Sequence, residues 1–107
     1  MSGAWKVYFP DIVKKDVSEL SASVQTQVLK MIARVATNPL PQTRGGYGKP
    51  LGGNLSGLLK IKLRRAGVRV VYALREIEGE MVVVVVGMRA ENIVYTLAAK
   101  RRIKLGL

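Results

Sequence analysis

The sequence has no cysteine and no histidine, and only 7 of its 107 residues are acidic. Without cysteine there are no disulfide scaffolds, thiol nucleophiles or Cys/His zinc sites. Without histidine every Ser-His-Asp or Cys-His arrangement is excluded, and acid-base chemistry falls to Lys, Arg, Tyr or a carboxylate. Long apolar runs are also missing. The longest, Met81 to Val86, is far below the ~20 residues that span a bilayer. No apolar stretch of signal-peptide length lies near the start, where Trp5 is the only large apolar residue between Met1 and Lys6. A cytoplasmic protein without a membrane partner is expected.

Positive charge is what the chain has in excess, with 18 Lys+Arg and a net charge of +11. At 49% hydrophobic and 23% charged residues, this is the composition of a folded object rather than a disordered basic tail. A single domain over residues 1–107 is expected. The excess is local: residues 1–40 carry five basic and three acidic side chains, 41–75 eight basic and none acidic, and 76–107 five basic and four acidic. Such a block suits a polyanion, because phosphate neutralisation releases counterions. A merely solvated basic face is the alternative meaning.

Alternation of Trp5, Val7 and Phe9 with Lys6 and Tyr8 predicts a strand over Ala4–Phe9, ended by Pro10. Asp11–Leu20 reads as a short helix with Ile12, Val13, Val17 and Leu20 on one stripe. A second helix, capped by Ser21 or Ser23, carries Val24, Val28, Met31, Ile32 and Val35 at helical spacing until Asn38-Pro39, completing a helical hairpin. Pro41–Gly57 holds six of the eleven glycines and reads as a loop. It matches neither the Walker pattern nor the dinucleotide fingerprint.

Leu58–Arg65, Val68–Arg75 and Met81–Met88 have strand composition. A two-residue turn at Ala66-Gly67 pairs Arg65 with Val68, Arg64 with Arg69 and Lys62 with Val71. One face then reads Leu59, Ile61, Leu63, Val68, Val70, Tyr72 and Leu74, and the other Lys60, Lys62, Arg64, Arg69 and Arg75. A three-residue loop Ile77-Glu78-Gly79, pairing Glu76 with Glu80, places Arg69 opposite Gly87, with Arg89 on the same side. Lys60, Lys62, Arg64, Arg69 and Arg89 converge around a gap left by Gly87, and Val71, Val83 and Val85 continue that face as an apolar strip needing a cover or partner. The glutamates Glu76, Glu78 and Glu80 fall at a hairpin tip, solvated rather than metal-binding, and no cofactor or metal is expected.

The segments Leu59-Lys60-Ile61-Lys62-Leu63-Arg64, Gly67-Val68-Arg69-Val70-Val71-Tyr72 and Val86-Gly87-Met88-Arg89 resemble the RelE family of bacterial toxins. The N-terminal strand with Trp5, the hairpin ending in Asn38-Pro39, the Lys49-Pro50-Leu51 approach and Tyr95 with Lys100-Arg101 extend the resemblance over most of the chain. The fold it implies is a small α+β domain, a mainly antiparallel four-stranded sheet with an N-terminal helical hairpin on one face and a short C-terminal helix, Asn92–Arg102. The function it implies is a ribosome-dependent endoribonuclease. In this family the 2′-hydroxyl of A-site mRNA attacks the adjacent phosphate, giving a 2′,3′-cyclic phosphate and a free 5′-hydroxyl. The partners it implies are ribosome, mRNA and a small acidic, RelB-like antitoxin, in a toxin-antitoxin hetero-oligomer.

The family's functional positions fall on Lys60, Lys62, Arg69, Arg89 and Tyr95. Lys49, Arg64, Arg65 and Arg75 are expected to contact RNA around them, Arg64 meeting either mRNA or ribosomal RNA. Lys6, Lys14, Lys15, Lys30 and Arg34 read as solvated helix faces or ribosomal RNA contacts. With no imidazole, Lys62 is the expected base, its pKa lowered by Arg64 and Arg69. Arg69 and Lys60 would stabilise the transition state, Arg89 would stabilise it or supply the proton, and Tyr95 would stack on a base. Two features depart from the family: a glycine-heavy loop, and Val68 where an aromatic is frequent. The competing functions are a ParE-like inhibitor of DNA gyrase on the same fold, and a plain RNA-binding module.

Overall fold

A computed structural model describes residues 4–91 and 93–107. Five strands, β1 (Lys6–Tyr8), β2 (Lys49–Pro50), β3 (Leu58–Leu63), β4 (Val68–Arg75) and β5 (Glu80–Met88), join three helices, α1 (Asp11–Ser18), α2 (Ala22–Val35) and α3 (Val94–Leu105). The sheet order is β1-β5-β4-β3-β2. The β1–β5 pair is parallel and the others antiparallel. The α+β class and the helical hairpin agree with the sequence reading. The fifth strand is the two-residue β2, where Lys49 and Pro50 leave the glycine-rich loop to pair with Lys60 and Leu59.

Local chemistry explains the helix boundaries. Pro10 has no N–H to lose at the start of α1, and its carbonyl accepts from Val13 and Lys14. Of the two serines proposed to cap α2, Ser21 does so, accepting from Val24 N–H at 3.3 Å. The hairpin buries Val13, Val28, Ile32 and Val35 against Leu59, Leu63, Val70, Tyr72, Met81 and Val83 on one sheet face. Burial raises the Tyr72 phenol above its ordinary pKa, so it stays protonated and donates to the Pro39 carbonyl at 2.8 Å. On the other face α3 lays Val94 and Ala98 on Leu58, Val71, Ala73, Val84 and Val85.

Both hairpin registers differ from expectation. Lys62 pairs with Arg69 and Leu63 with Val68, so the β3–β4 turn contains four residues, Arg64 to Gly67, and not Ala66-Gly67 alone. A two-residue turn of the favoured type needs positive φ at both positions, which alanine resists; the longer turn needs it only at Gly67, whose φ is +68°. The register moves by two residues, so the faces are preserved and Lys60 and Lys62 remain on the side of Arg69. At the second hairpin Arg75 pairs with Glu80, in place of the expected Glu76 with Glu80. Their 3.0 Å salt bridge replaces a like-charged pair with an attractive one.

A bulge between Val71 and Tyr72 and the facing strand reconciles this register with Arg69 opposite Gly87, which is observed. It also moves Val83 into the helical-hairpin core and puts Val84 beside Val85 under α3. The expected Val71-Val83-Val85 strip is therefore corrected in composition and in exposure, because all three are fully buried, Val71 and Val85 under α3 and Val83 under the helical hairpin.

Asp16 on α1 and Arg101 on α3 form a two-pronged pair at 2.6 and 3.1 Å. β1 pairs with β5 only at Glu80–Val82. Farther along β5, Arg101 donates to the Val84 carbonyl at 3.0 Å and Asp16 accepts from Val86 N–H at 3.1 Å. One ion pair thus joins two helices and satisfies backbone groups next to the bulge.

Candidate active site

Alternation along β3 and β4 carries Lys60, Lys62 and Arg69 onto the face shared with α3. Arg89 enters from the turn Arg89–Glu91 that follows β5. Its backbone N–H donates to the Gly67 carbonyl at 2.6 Å, clipping the β3–β4 turn to the end of β5. Lys62, Arg64, Gly67, Arg69 and Arg89 line a cleft of about 230 Å³ together with Leu63 and Val68. The described residues around it include no carboxylate.

Tyr95, in the first turn of α3, lies against two cations of this face, Lys60 and Arg69. Lys60 Nζ lies 3.4 Å from its hydroxyl and 5.6 Å from the ring centroid, and Arg69 Cζ lies 5.5 Å from the same centroid. Arg69 Nε is buried without a hydrogen-bond partner among the described residues. Lys62 is exposed, yet its pKa is held below the ordinary lysine value, first by the Lys60 charge, then by partial desolvation, and then by Lys49, Arg69 and Arg64. The sequence reading credited Arg64 and Arg69. The largest neighbour is Lys60, two residues away on the same strand face.

Gly87 does not leave an open gap. A Cβ there would come within 2.7 Å of Val94 Cγ2, so the missing side chain makes room for α3. That close approach seats the first turn of α3, and with it Tyr95, next to Arg69. The expected C-terminal helix runs over Val94–Leu105, while Asn92, its expected start, lies outside the described residues.

The structure brings together Lys60, Lys62, Arg64, Arg69, Arg89 and Tyr95, with Lys49 beside Lys60 across the β2–β3 pair. Arg65 lines a groove of about 420 Å³ on the α2 side, which it shares with Lys62, Arg64, Lys30, Met31 and Arg34. The structure separates one residue from the set. Arg75 lies at the far end of β4, bonded to Glu80 and, at 3.2 Å, to the Leu105 carbonyl. A second cleft, about 280 Å³, opens on the other side of Lys62 and Arg64, lined by Lys49, Lys60, Ile61 and two residues that sequence reasoning missed, Gln42 and Tyr47. The signal available for these two was an aromatic residue among the glycines and cations of Arg44-Gly45-Gly46-Tyr47-Gly48-Lys49.

Comparison with known proteins gives this cationic site a family. An Escherichia coli protein described as RelE-like toxin is 32% identical over 98 residues, covering 91% of this chain and 96% of its own. The chain belongs to the RelE family of toxins. A free E. coli RelE mutant superposes with a TM-score of 0.75 at 28% identity, over 92% of this chain and 97% of that one. E. coli RelE bound to a peptide of its antitoxin RelB gives 0.69 at 27% identity, over 89% and 94%. No family model matches the sequence. Among the described residues of this RelE-family chain, no helix is long and apolar enough to cross a membrane.

Proposed function

We propose that this toxin is an endoribonuclease that enters the ribosomal A site and cuts the mRNA codon there. Cleavage by a neighbouring 2′-hydroxyl needs a base for that hydroxyl, positive charge for the phosphorane-like transition state and a proton for the departing 5′-oxygen. Neutral Lys62 takes the 2′-hydroxyl proton, the oxygen attacks the adjacent phosphorus, and the P–O5′ bond breaks. The products are a 2′,3′-cyclic phosphate and a 5′-hydroxyl. Lys60, Arg69 and Arg89 balance the charge on the phosphoryl oxygens, and Arg89, exposed at the mouth of the cleft, is the group available to direct a proton to the 5′-oxygen. Tyr95 offers an aromatic face to a splayed base.

The observation that carries this reading is the lysine of lowered pKa in a cleft that it shares with Arg64, Arg69 and Arg89. A surface that only bound RNA would gain nothing from a lowered lysine pKa; a base does, because the lowering favours its neutral form. The fold neighbour bound to a RelB peptide and the net charge of +11 support an acidic antitoxin as partner in a cytoplasmic toxin-antitoxin complex.

The test is incubation of the antitoxin-free protein with ribosomes stalled on a defined mRNA, followed by primer extension. Cuts at fixed positions within the A-site codon are expected. Uncut mRNA together with inhibition of gyrase supercoiling would replace this reading with the ParE-like one, and uncut mRNA with retained ribosome binding would leave a binding module.

A further inference from the structure

We infer that the cleft between the glycine-rich loop and β3 is a second nucleotide subsite, in which Tyr47 stacks on the base flanking the cleaved phosphate while Lys49 and Gln42 engage its phosphate and base edge. The inference rests on the nuclease reading above and extends it to residues that reading does not use.

The first support is position. The 280 Å³ cleft shares Lys62 and Arg64 with the 230 Å³ cleft that holds Arg69 and Arg89. A third groove, on the α2 side, also meets Lys62 and Arg64; a strand whose scissile phosphate lies at Lys62 and that leaves through the 280 Å³ cleft passes Lys49, Lys60 and an aromatic ring. No carboxylate lines it among the described residues, so the field along it favours a polyanion throughout.

The second support is that its polar groups are not engaged elsewhere. Gln42 and Lys49 are exposed, and no hydrogen bond or ion pair occupies either side chain among the described residues. Tyr47 is 44% exposed, and Arg34 Cζ lies 6.0 Å from its ring centroid. A half-open ring with a cation near its π system is a stacking platform rather than a core residue.

The third support is rigidity. Tyr47 N–H donates to the Asn38 carbonyl at 3.1 Å, Gly48 N–H to Leu40 at 3.1 Å, and Gln42 N–H to Gly48 at 2.7 Å. The glycines flanking Tyr47 allow no side chain: a Cβ on Gly46 would lie 1.9 Å from the Leu40 carbonyl oxygen, and one on Gly48 would lie 2.2 Å from the Tyr72 hydroxyl. The loop that looks flexible from its composition holds Tyr47 in one place, so little ordering entropy remains to be lost on binding.

The experiment is single-turnover cutting on programmed ribosomes, titrating toxin over mRNAs that carry an abasic nucleotide at each codon position in turn. Tyr47→Ala is expected to raise the half-saturating toxin concentration roughly 5- to 150-fold, with the larger effect there rather than on the maximal rate. Tyr47→Phe, which keeps the ring, should recover most of the loss. At one codon position the abasic nucleotide should weaken the unaltered toxin but add nothing to Tyr47→Ala, as two removals of one contact do not add. Tyr47→Leu keeps the volume and serves if the alanine variant melts early. Additive losses at every position, or equal saturation curves for the unaltered toxin and the leucine variant, overturn the subsite and leave the nuclease reading standing. If the unaltered toxin makes no cut, both fall.

Discussion

Arg69 and Arg75 occupy the same strand, six positions apart and on the same face, yet their surroundings are opposite. Arg75 is matched by the Glu80 carboxylate and the Leu105 carbonyl, so it joins the β4–β5 hairpin to the end of α3. Arg69 has a tyrosine ring, a set of other cations nearby and a buried Nε with no partner among the described residues. Charge that serves the fold is compensated within the chain. Charge that meets no carboxylate among the described residues, in a cleft where like charges converge, is held there by the fold, an arrangement that favours an anionic ligand. Asp16–Arg101 is the extreme of the first kind, with both charges almost completely buried and every prong used except Arg101 Nε.

The comparison can be broken at its compensated end first. Asp16→Ala leaves Arg101 buried without its anion and removes the acceptor for Val86 N–H; a loss of about 3–5 kcal/mol is expected, measured by urea unfolding. A loss below about 1 kcal/mol would mean that the pair is solvated in solution. At the uncompensated end, Arg89→Ala is expected to slow cutting by about 10²–10³-fold, with an unchanged unfolding midpoint because the side chain is exposed. A lowered midpoint would make Arg89 structural.

Gly87→Ala tests the seam between the two ends. The added methyl meets Val94 at 2.7 Å, so α3 has to shift; about 1–3 kcal/mol of stability should be lost, together with cutting that depends on Tyr95. The gentlest probe is pH. A base is active when neutral, so a lysine of lowered pKa gains its active form at lower pH than an ordinary lysine, and cutting rises along a limb that begins below the usual lysine range. Lys60→Gln removes the largest cause of that lowering and should move the limb to higher pH. A limb that stays put would exclude Lys62 as the base.

Much of this contrast was legible in the sequence because it depends on parity. The β3–β4 register expected from the sequence and the observed one differ by two residues, but an even shift keeps every side chain on its face, and Lys60, Lys62 and Arg69 stay together. Four things were not legible. The bulge beside Val84 changes parity within β5, and nothing in a run of five valines marks where the extra residue falls. Gly87 read as an opening because the residue that fills it, Val94, comes from a different element. The partners of Arg75 and Arg101 are a carboxylate at a hairpin tip that read as solvated and one 85 residues away, so net charge alone could not separate fastened cations from free ones. Tyr47 was hidden for a related reason: its loop is fixed by backbone hydrogen bonds and by close approaches to Leu40 and Tyr72 that only glycine permits, and composition reports those glycines as flexibility.

The most direct test is the rate of A-site cutting by Arg69→Gln and Arg75→Gln, measured side by side on the same stalled ribosomes. Arg69→Gln should cut about 10²-fold or more slowly than the unaltered toxin. Arg75→Gln should cut at the unaltered rate, with a stability loss under about 1 kcal/mol, as for other partly exposed ion pairs. Equal losses of rate in the two variants would contradict the account, since the compensated and uncompensated arginines would then be doing the same work.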